Sequence, residues 1–181
     1  ALQADFPASR IYFHGNNKSP QELAMALEAK VGRIVVDNFY ELEMLDQLAG
    51  LFKTQAHILL RITPGIEAHT HEFIRTGQID SKFGFTLPNG QALEAVRQAL
   101  AYKNIKLHGL HCHIGSQIFE MESYCHAAQY MMEFAVQLKR ELNFTLEELN
   151  LGGGFGIYYT EGDEPASIKT YADMVMNTVK E

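Results

Sequence analysis

Apolar and polar positions along the chain follow two alternating rhythms. Short runs rich in Ile, Val and Leu give way to longer stretches in which apolar residues recur every three or four positions. The first rhythm marks a strand and the second an amphipathic helix. Strands are predicted at 10–14, 33–37, 57–62 and 107–113, with a fifth entered at 148–151 and running into the glycine turn at 152–156. Helices are predicted at 19–30, 38–50, 88–102, 121–142 and 167–180. Ser19 has the residue type of an N-cap, Pro20 suits a first turn, and Glu22 stands three residues on, as a capping box requires. Asn38 and Glu41 repeat that spacing.

The inner stripes follow from the helical period. They are Leu23, Ala26 and Leu27; Leu42, Leu45 and Leu48; Leu93, Val96 and Leu100; Met131, Met132, Ala135, Leu138 and Leu142; and Tyr171, Met174, Val175 and Val179. The methionines at 131 and 132 read as core rather than as a cofactor box. The run 33–37, Arg-Ile-Val-Val-Asp, is apolar enough to be covered on both faces, as in a parallel sheet. Strand and helix alternate five times without a linker-like break, which predicts an α/β fold of parallel strands joined by helical crossovers. Polar and glycine-rich residues gather after the strands, at 14–18, at Asp37 and Asn38, from Thr63 onward, at 113–117 and at 152–156. Barrels and open α/β sheets both bind ligands at that end. The polar connection at 66–84 is long for a compact domain and reads as functional or mobile.

Composition narrows the function. The chain has 181 residues, 46% hydrophobic and 20% charged, with a formal net charge of −7, and it has no lysine- or arginine-rich run. Nucleic acid and anionic membranes are therefore not expected partners. No apolar run approaches the roughly 20 residues that cross a bilayer, and residues 1–10 lack the basic start and apolar centre of a signal peptide. The first residue is Ala1, and both ends fall in helix-like sequence, so both read as cut ends. Cys112 and Cys125, the only cysteines, do not form a disulfide framework or a C-x-x-C pair. They point to a reducing, cytoplasmic compartment and away from structural zinc.

The chemistry concentrates at 107–117, Leu-His-Gly-Leu-His-Cys-His-Ile-Gly-Ser-Gln. Side chains alternate along a strand, so His111 and His113 share one face while Leu110 and Cys112 share the other. The apolar pair suits covering helices, and the imidazoles then face whatever the strand encloses. Gly115 and Ser116 follow at once, so an aromatic ring, backbone donors and a hydroxyl stand at one strand end, able to hold a flat phosphorylated ligand. Gly152, Gly153 and Gly154 follow an apolar strand and allow close backbone approach to an anion. The pattern is neither a Walker A loop nor a dinucleotide fingerprint. Plainer readings stand beside these: histidines satisfied in a core, and a tight turn with no ligand. His111 and His113 could also be a metal pair, with His14, Asp37 or His69 as a third ligand.

Six blocks then become recognisable in order: His-Gly-Asn-Asn-Lys-Ser at 14–19, Val-Asp-Asn at 36–38, Leu-Arg-Ile-Thr-Pro-Gly at 60–65, Ser-Lys-Phe-Gly at 81–84, Gly-Leu-His-Cys-His-Ile-Gly-Ser-Gln at 109–117 and Asn-Leu-Gly-Gly-Gly-Phe-Gly at 150–156. Together they resemble the diaminopimelate decarboxylases, pyridoxal 5'-phosphate enzymes of the alanine racemase and ornithine decarboxylase barrel type. The resemblance implies a parallel (β/α)8 TIM-type barrel, of which residues 1–181 would be a central fragment of about five βα units. His113 would stack on the cofactor ring, and Ser116, Gly152, Gly153 and Gly154 would hold its phosphate. Asn16, Asn17, Asp37, Lys82 and His111 would line the mouth.

The same resemblance places three features outside the chain: the lysine that carries the cofactor before Ala1, and both a last barrel strand and a β-domain after Glu181. That β-domain would complete the site across a homodimer. The implied reaction of the full-length protein is decarboxylation of meso-2,6-diaminopimelate to L-lysine and CO2, the chain alone being inactive. A decarboxylase of another basic amino acid or polyamine precursor, a non-catalytic pyridoxal-phosphate-binding barrel and a metal-dependent barrel hydrolase remain as alternatives.

Overall fold

The computed structural model describes residues 1–65 and 82–180. Among these residues six parallel strands form one sheet: β1 Tyr12–Phe13, β2 Arg33–Val36, β3 Ala56–Thr63, β4 Phe85–Thr86, β5 Ile105–Cys112 and β6 Glu148–Asn150. Their order is β1-β2-β3-β5-β6, with β4 added to the end of β3. The helices α1 Pro20–Glu28, α2 Phe39–Leu51, α3 Gln91–Ala101, α4 Glu122–Leu142 and α5 Ile168–Lys180 complete five βα units.

The sheet curves into a half-barrel. β1 and β6 are its two outer strands, yet the Tyr12 hydroxyl donates to Glu148 Oε1 across the concave side, at 2.6 Å. Arg33 Nε on β2 reaches the other oxygen of the same carboxylate at 2.9 Å.

Alternation along the strands separates the two faces. Ile34, Val36, Ile58, Leu60, Ile62, Leu110 and Cys112 join the apolar core shared with helical residues such as Leu23, Leu42, Leu45, Val96 and Phe134. Arg33, Arg61 and His111 belong to the opposite, concave face, where they meet partners from distant strands. Gly109 is required where β5 passes β6, because a β-carbon there would lie 1.7 Å from the Glu148 carbonyl oxygen.

The helix starts follow local chemistry. The Ser19 hydroxyl accepts from the Glu22 N–H while Glu22 accepts from the Ser19 N–H, a full capping box. Asn38 caps α2 by accepting from the Glu41 N–H at 2.9 Å.

The structure corrects several boundaries. Residues 8–10 form a 3-10 turn, so the first strand is only Tyr12–Phe13. A two-residue strand not predicted from the sequence, β4, directly follows the long connection. The third helix begins at Gln91 rather than Pro88, because Gly90 adopts a left-handed φ of 82° and closes a turn from Leu87. Its buried stripe is Ala92, Ala95, Val96 and Ala99; Leu93 is partly buried and Leu100 is exposed. Small alanines let this helix lie close to the sheet. In α4, Tyr124 and Phe134 are buried beside Met131, whereas Met132 and Ala135 are only partly so. His69 and the stretch 66–81 lie outside the described residues.

Candidate functional site

The C-terminal ends of β1, β3, β5 and β6 converge on one cleft on the concave side. It has a volume of about 380 Å³ and is lined by His14, Arg61, His111, His113, Asn150, Gly152 and Gly153. That volume is within the range of small-ligand sites.

His111 is the last but one residue of β5, and His113 stands just past the strand end on the same face. The His111 ring meets the His14 ring edge-on, with centroids 4.8 Å apart. Its Nδ1 lies 3.1 Å from Asn150 Oδ1, and the same oxygen accepts the Gly152 N–H at 2.9 Å. An oxygen that takes a backbone N–H is an acceptor, so His111 Nδ1 carries a proton and donates to it. Its Nε2 is then left with a lone pair. Burial, with His14 beside it, pushes the His111 imidazole down to about 3. Burial and the neighbouring Arg61 charge also lower His14 and His113. All three rings are therefore neutral near pH 7.

Among the described residues, the permanent cation lining the cleft is Arg61. Asp37 Oδ1 stands 3.4 Å from its Nη1, and its guanidinium lies 4.5 Å from the Phe83 ring centroid. Asp37 Oδ2 accepts the Gly84 N–H at 3.1 Å. One buried carboxylate thus ties the end of β2 to β3 and to the segment leading into β4.

The three glycines differ in what they do. Gly152 and Gly154 have φ of 76° and 95°, and both press against the turn after β5. A β-carbon on Gly152 would lie 2.5 Å from the Cys112 carbonyl oxygen and 3.1 Å from His113 Nδ1. One on Gly154 would lie 1.9 Å from the Gly115 oxygen and 3.2 Å from His113 Cε1. Gly153 has nothing within 4 Å of that position. The outer two glycines let the bend close on the His113 ring, and the middle one leaves open space where a side chain would stand. The loops are then zipped together: the Ile118 N–H donates to Gly154, the Gly156 N–H donates to Ile118, and Gln117 bonds the Ile157 backbone in both directions.

The structure brings His111, His113, Gly152 and Gly153 together at this cleft and adds His14, Arg61 and Asn150. Gly154 packs beneath them, and Ser116 is exposed in the adjoining turn, outside the lining. Asp37 stands one layer behind Arg61. Asn16, Asn17 and Lys82 are not among the lining residues; Lys82 stacks its ammonium on Phe83, 5.2 Å from the centroid. Arg61 and Asn150 were missed by the reading of single residues. A signal existed: a charge inside the run His-Ile-Leu-Leu-Arg-Ile at 57–62, and an amide directly before the glycines. Among the described residues no three His, Cys, Asp or Glu side chains converge to hold a metal ion. Cys112 is buried, and burial pushes its thiol up to about 12, so it is not a nucleophile.

A flat neutral imidazole, a fixed guanidinium and an open glycine backbone form a cradle that fits a phosphorylated pyridine. Comparison with known proteins agrees. The chain is 52% identical over 181 residues to a diaminopimelate decarboxylase of Bacillus subtilis, covering all of this chain and 41% of that protein. It is 46% identical over 180 residues to one from Corynebacterium efficiens, covering 99% of the chain and 39% of the relative. Among solved structures, diaminopimelate decarboxylase from M. jannaschii superposes with a TM-score of 0.89 at 34% identity, over 98% of this chain and 41% of that one. The Helicobacter pylori enzyme complexed with L-lysine gives 0.91 at 32%, over 99% and 44%. The chain thus spans about two fifths of the length of these relatives. Residues 1–181 match, end to end, the family model described as pyridoxal-dependent decarboxylase, pyridoxal binding domain, and the chain belongs to that family.

Proposed function

We propose that the full-length protein removes CO2 from meso-2,6-diaminopimelate and returns L-lysine, using pyridoxal 5'-phosphate held at this cleft. The observation that carries the reading is the His113 ring packed on the glycine bend, with open space at Gly153 where a side chain would stand. The names of the relatives support the substrate, and so does the L-lysine complexed with three of the solved structures.

Within this reading His113 stacks on the pyridine ring and shields one face from water. Ser116 and the backbone of Gly152, Gly153 and Gly154 hold the phosphate. Arg61 supplies positive charge to the cleft without depending on pH. His111, neutral and held by Asn150, keeps the bend in register. When bound, the cofactor supplies an electron sink for the carbanion left by CO2. L-lysine differs from the substrate by one carboxylate, which leaves as CO2 while its carbon takes up a proton.

The lysine that carries the cofactor and the β-domain belong to the rest of the full-length protein, which acts as a homodimer in the cytoplasm. Two unpaired cysteines, one of them buried, fit a reducing compartment. No helix among the described residues is long and apolar enough to cross a membrane.

The test is direct. Purified full-length protein should show a visible cofactor absorbance band and release CO2 and L-lysine in equal amounts from the meso isomer. A protein that binds the cofactor but turns over only ornithine or arginine would overturn the substrate. One that binds no cofactor would overturn the reading altogether.

A further inference from the structure

Lys18 and Glu41 form an ion pair out of reach of solvent. Nζ and Oε1 are 2.8 Å apart, and the two side chains are 2% and 3% exposed. Lys18 also donates to the carbonyl oxygens of Gly15 and Val35. Its ammonium therefore joins the turn after β1, the end of β2 and the first turn of α2. Glu41 Oε2 accepts the Asp37 N–H at 3.3 Å. Asp37 in turn holds Arg61 and the Gly84 N–H. A continuous path thus runs from the buried lysine to the cation of the cleft, through groups that touch neither the cavity nor solvent.

Such a pair is not explained by stability. Burying two charges costs about as much as their attraction returns, and well-packed apolar replacements are often neutral or better. What a buried ammonium held between two carbonyl oxygens and one carboxylate supplies is register, because those three groups meet it in only one arrangement. We propose that Lys18 and Glu41 are positioning residues: their pair locks the loops after β1 and β2 together and so fixes Asp37, and through it Arg61, at the cleft. The pair acts through the backbone of residue 37, not on the ligand. Only the kinetic arm of the test rests on the reading of the cleft as a diaminopimelate decarboxylase site.

The experiment uses full-length protein with Glu41→Gln, Lys18→Met and the double variant. The double variant leaves no buried charge unpaired and retains the fold if either single change does not. The reporter is the His113 imidazole, titrated by proton NMR without cofactor or substrate. Of the charged groups, Arg61 is the one that holds His113 down. If the pair fixes Arg61, loosening it should move the His113 titration upward by several tenths of a pH unit or more. With substrate, kcat/KM for meso-diaminopimelate should fall about tenfold, in keeping with the cost of small misplacements. Glu41→Asp, which keeps the charge, should recover part of both.

A lower melting temperature with His113 and kcat/KM unchanged, in the double variant or either single one, would overturn the positioning role. Absence of lysine formation in the wild type would sink the functional reading alone, since the His113 titration still decides this one.

Discussion

Tyr12 and Glu148 lie 136 residues apart, on the two outermost strands of the sheet, and their side chains meet at 2.6 Å. A flat sheet would hold them four strand spacings apart, or about 19 Å. The contact therefore measures the curvature that turns a run of βα units into a half-barrel with an inside. The Glu148 hydrogen bond raises the Tyr12 phenol above its ordinary value. Glu148→Gln should bring the tyrosinate transition of Tyr12 back down, read by ultraviolet titration against a Tyr12→Phe control. The pair is partly exposed, so the stability lost should be only about 1 kcal/mol.

Gly153 and Gly154 should separate cofactor binding from folding. Gly154→Ala drives a β-carbon into the Gly115 carbonyl at a left-handed φ. It should cost roughly 2–4 kcal/mol in denaturant unfolding. Gly153→Ala meets nothing. It should unfold within about 1 kcal/mol of wild type, yet weaken cofactor affinity in absorbance titrations. Equal affinity in the Gly153 variant would remove that backbone from the phosphate grip.

His111 should stay neutral, with its proton on Nδ1, from pH 8 to below pH 5. Its folded value, about 3, lies under the ordinary 6.5. A base with a depressed value contributes stability that is present above 6.5 and is lost as pH falls toward 3. Nitrogen NMR of labelled protein would show the tautomer, and a proton on Nε2 would contradict the shared Asn150 acceptor. Asn150→Ala should free both donors, costing roughly 1–3 kcal/mol and loosening the bend.

Glu41 should give the opposite slope. Burial raises it from 4.5 to about 7 despite Lys18. An acid with a raised value stabilises the fold most below 4.5, and that stability is lost as pH rises through about 7. Between pH 5 and 8 the wild type should lose up to roughly 3 kcal/mol of unfolding free energy relative to Glu41→Gln. Parallel pH profiles for the two proteins would show that the residue does not titrate there.

The sequence by itself determined the five strand–helix units, the caps at Ser19 and Asn38, and the shared face of His111 and His113. Each depends on residues a few positions apart, where backbone geometry leaves few choices. It misplaced the start of α3 because Pro88 suits a first turn as well as it suits the turn before Gly90. The six blocks also made the family legible, since they carry it in order along the chain.

Only the tertiary structure decided that Arg61, Asn150 and His14 share one cleft, that Asp37 stands behind Arg61 rather than in the lining, and that one glycine of three is open. Those relationships join the ends of different strands, His14 and Asn150 lying at opposite ends of the set. They exist because the sheet curves, and curvature is a property of all the strands packing at once, which no local pattern of residues records.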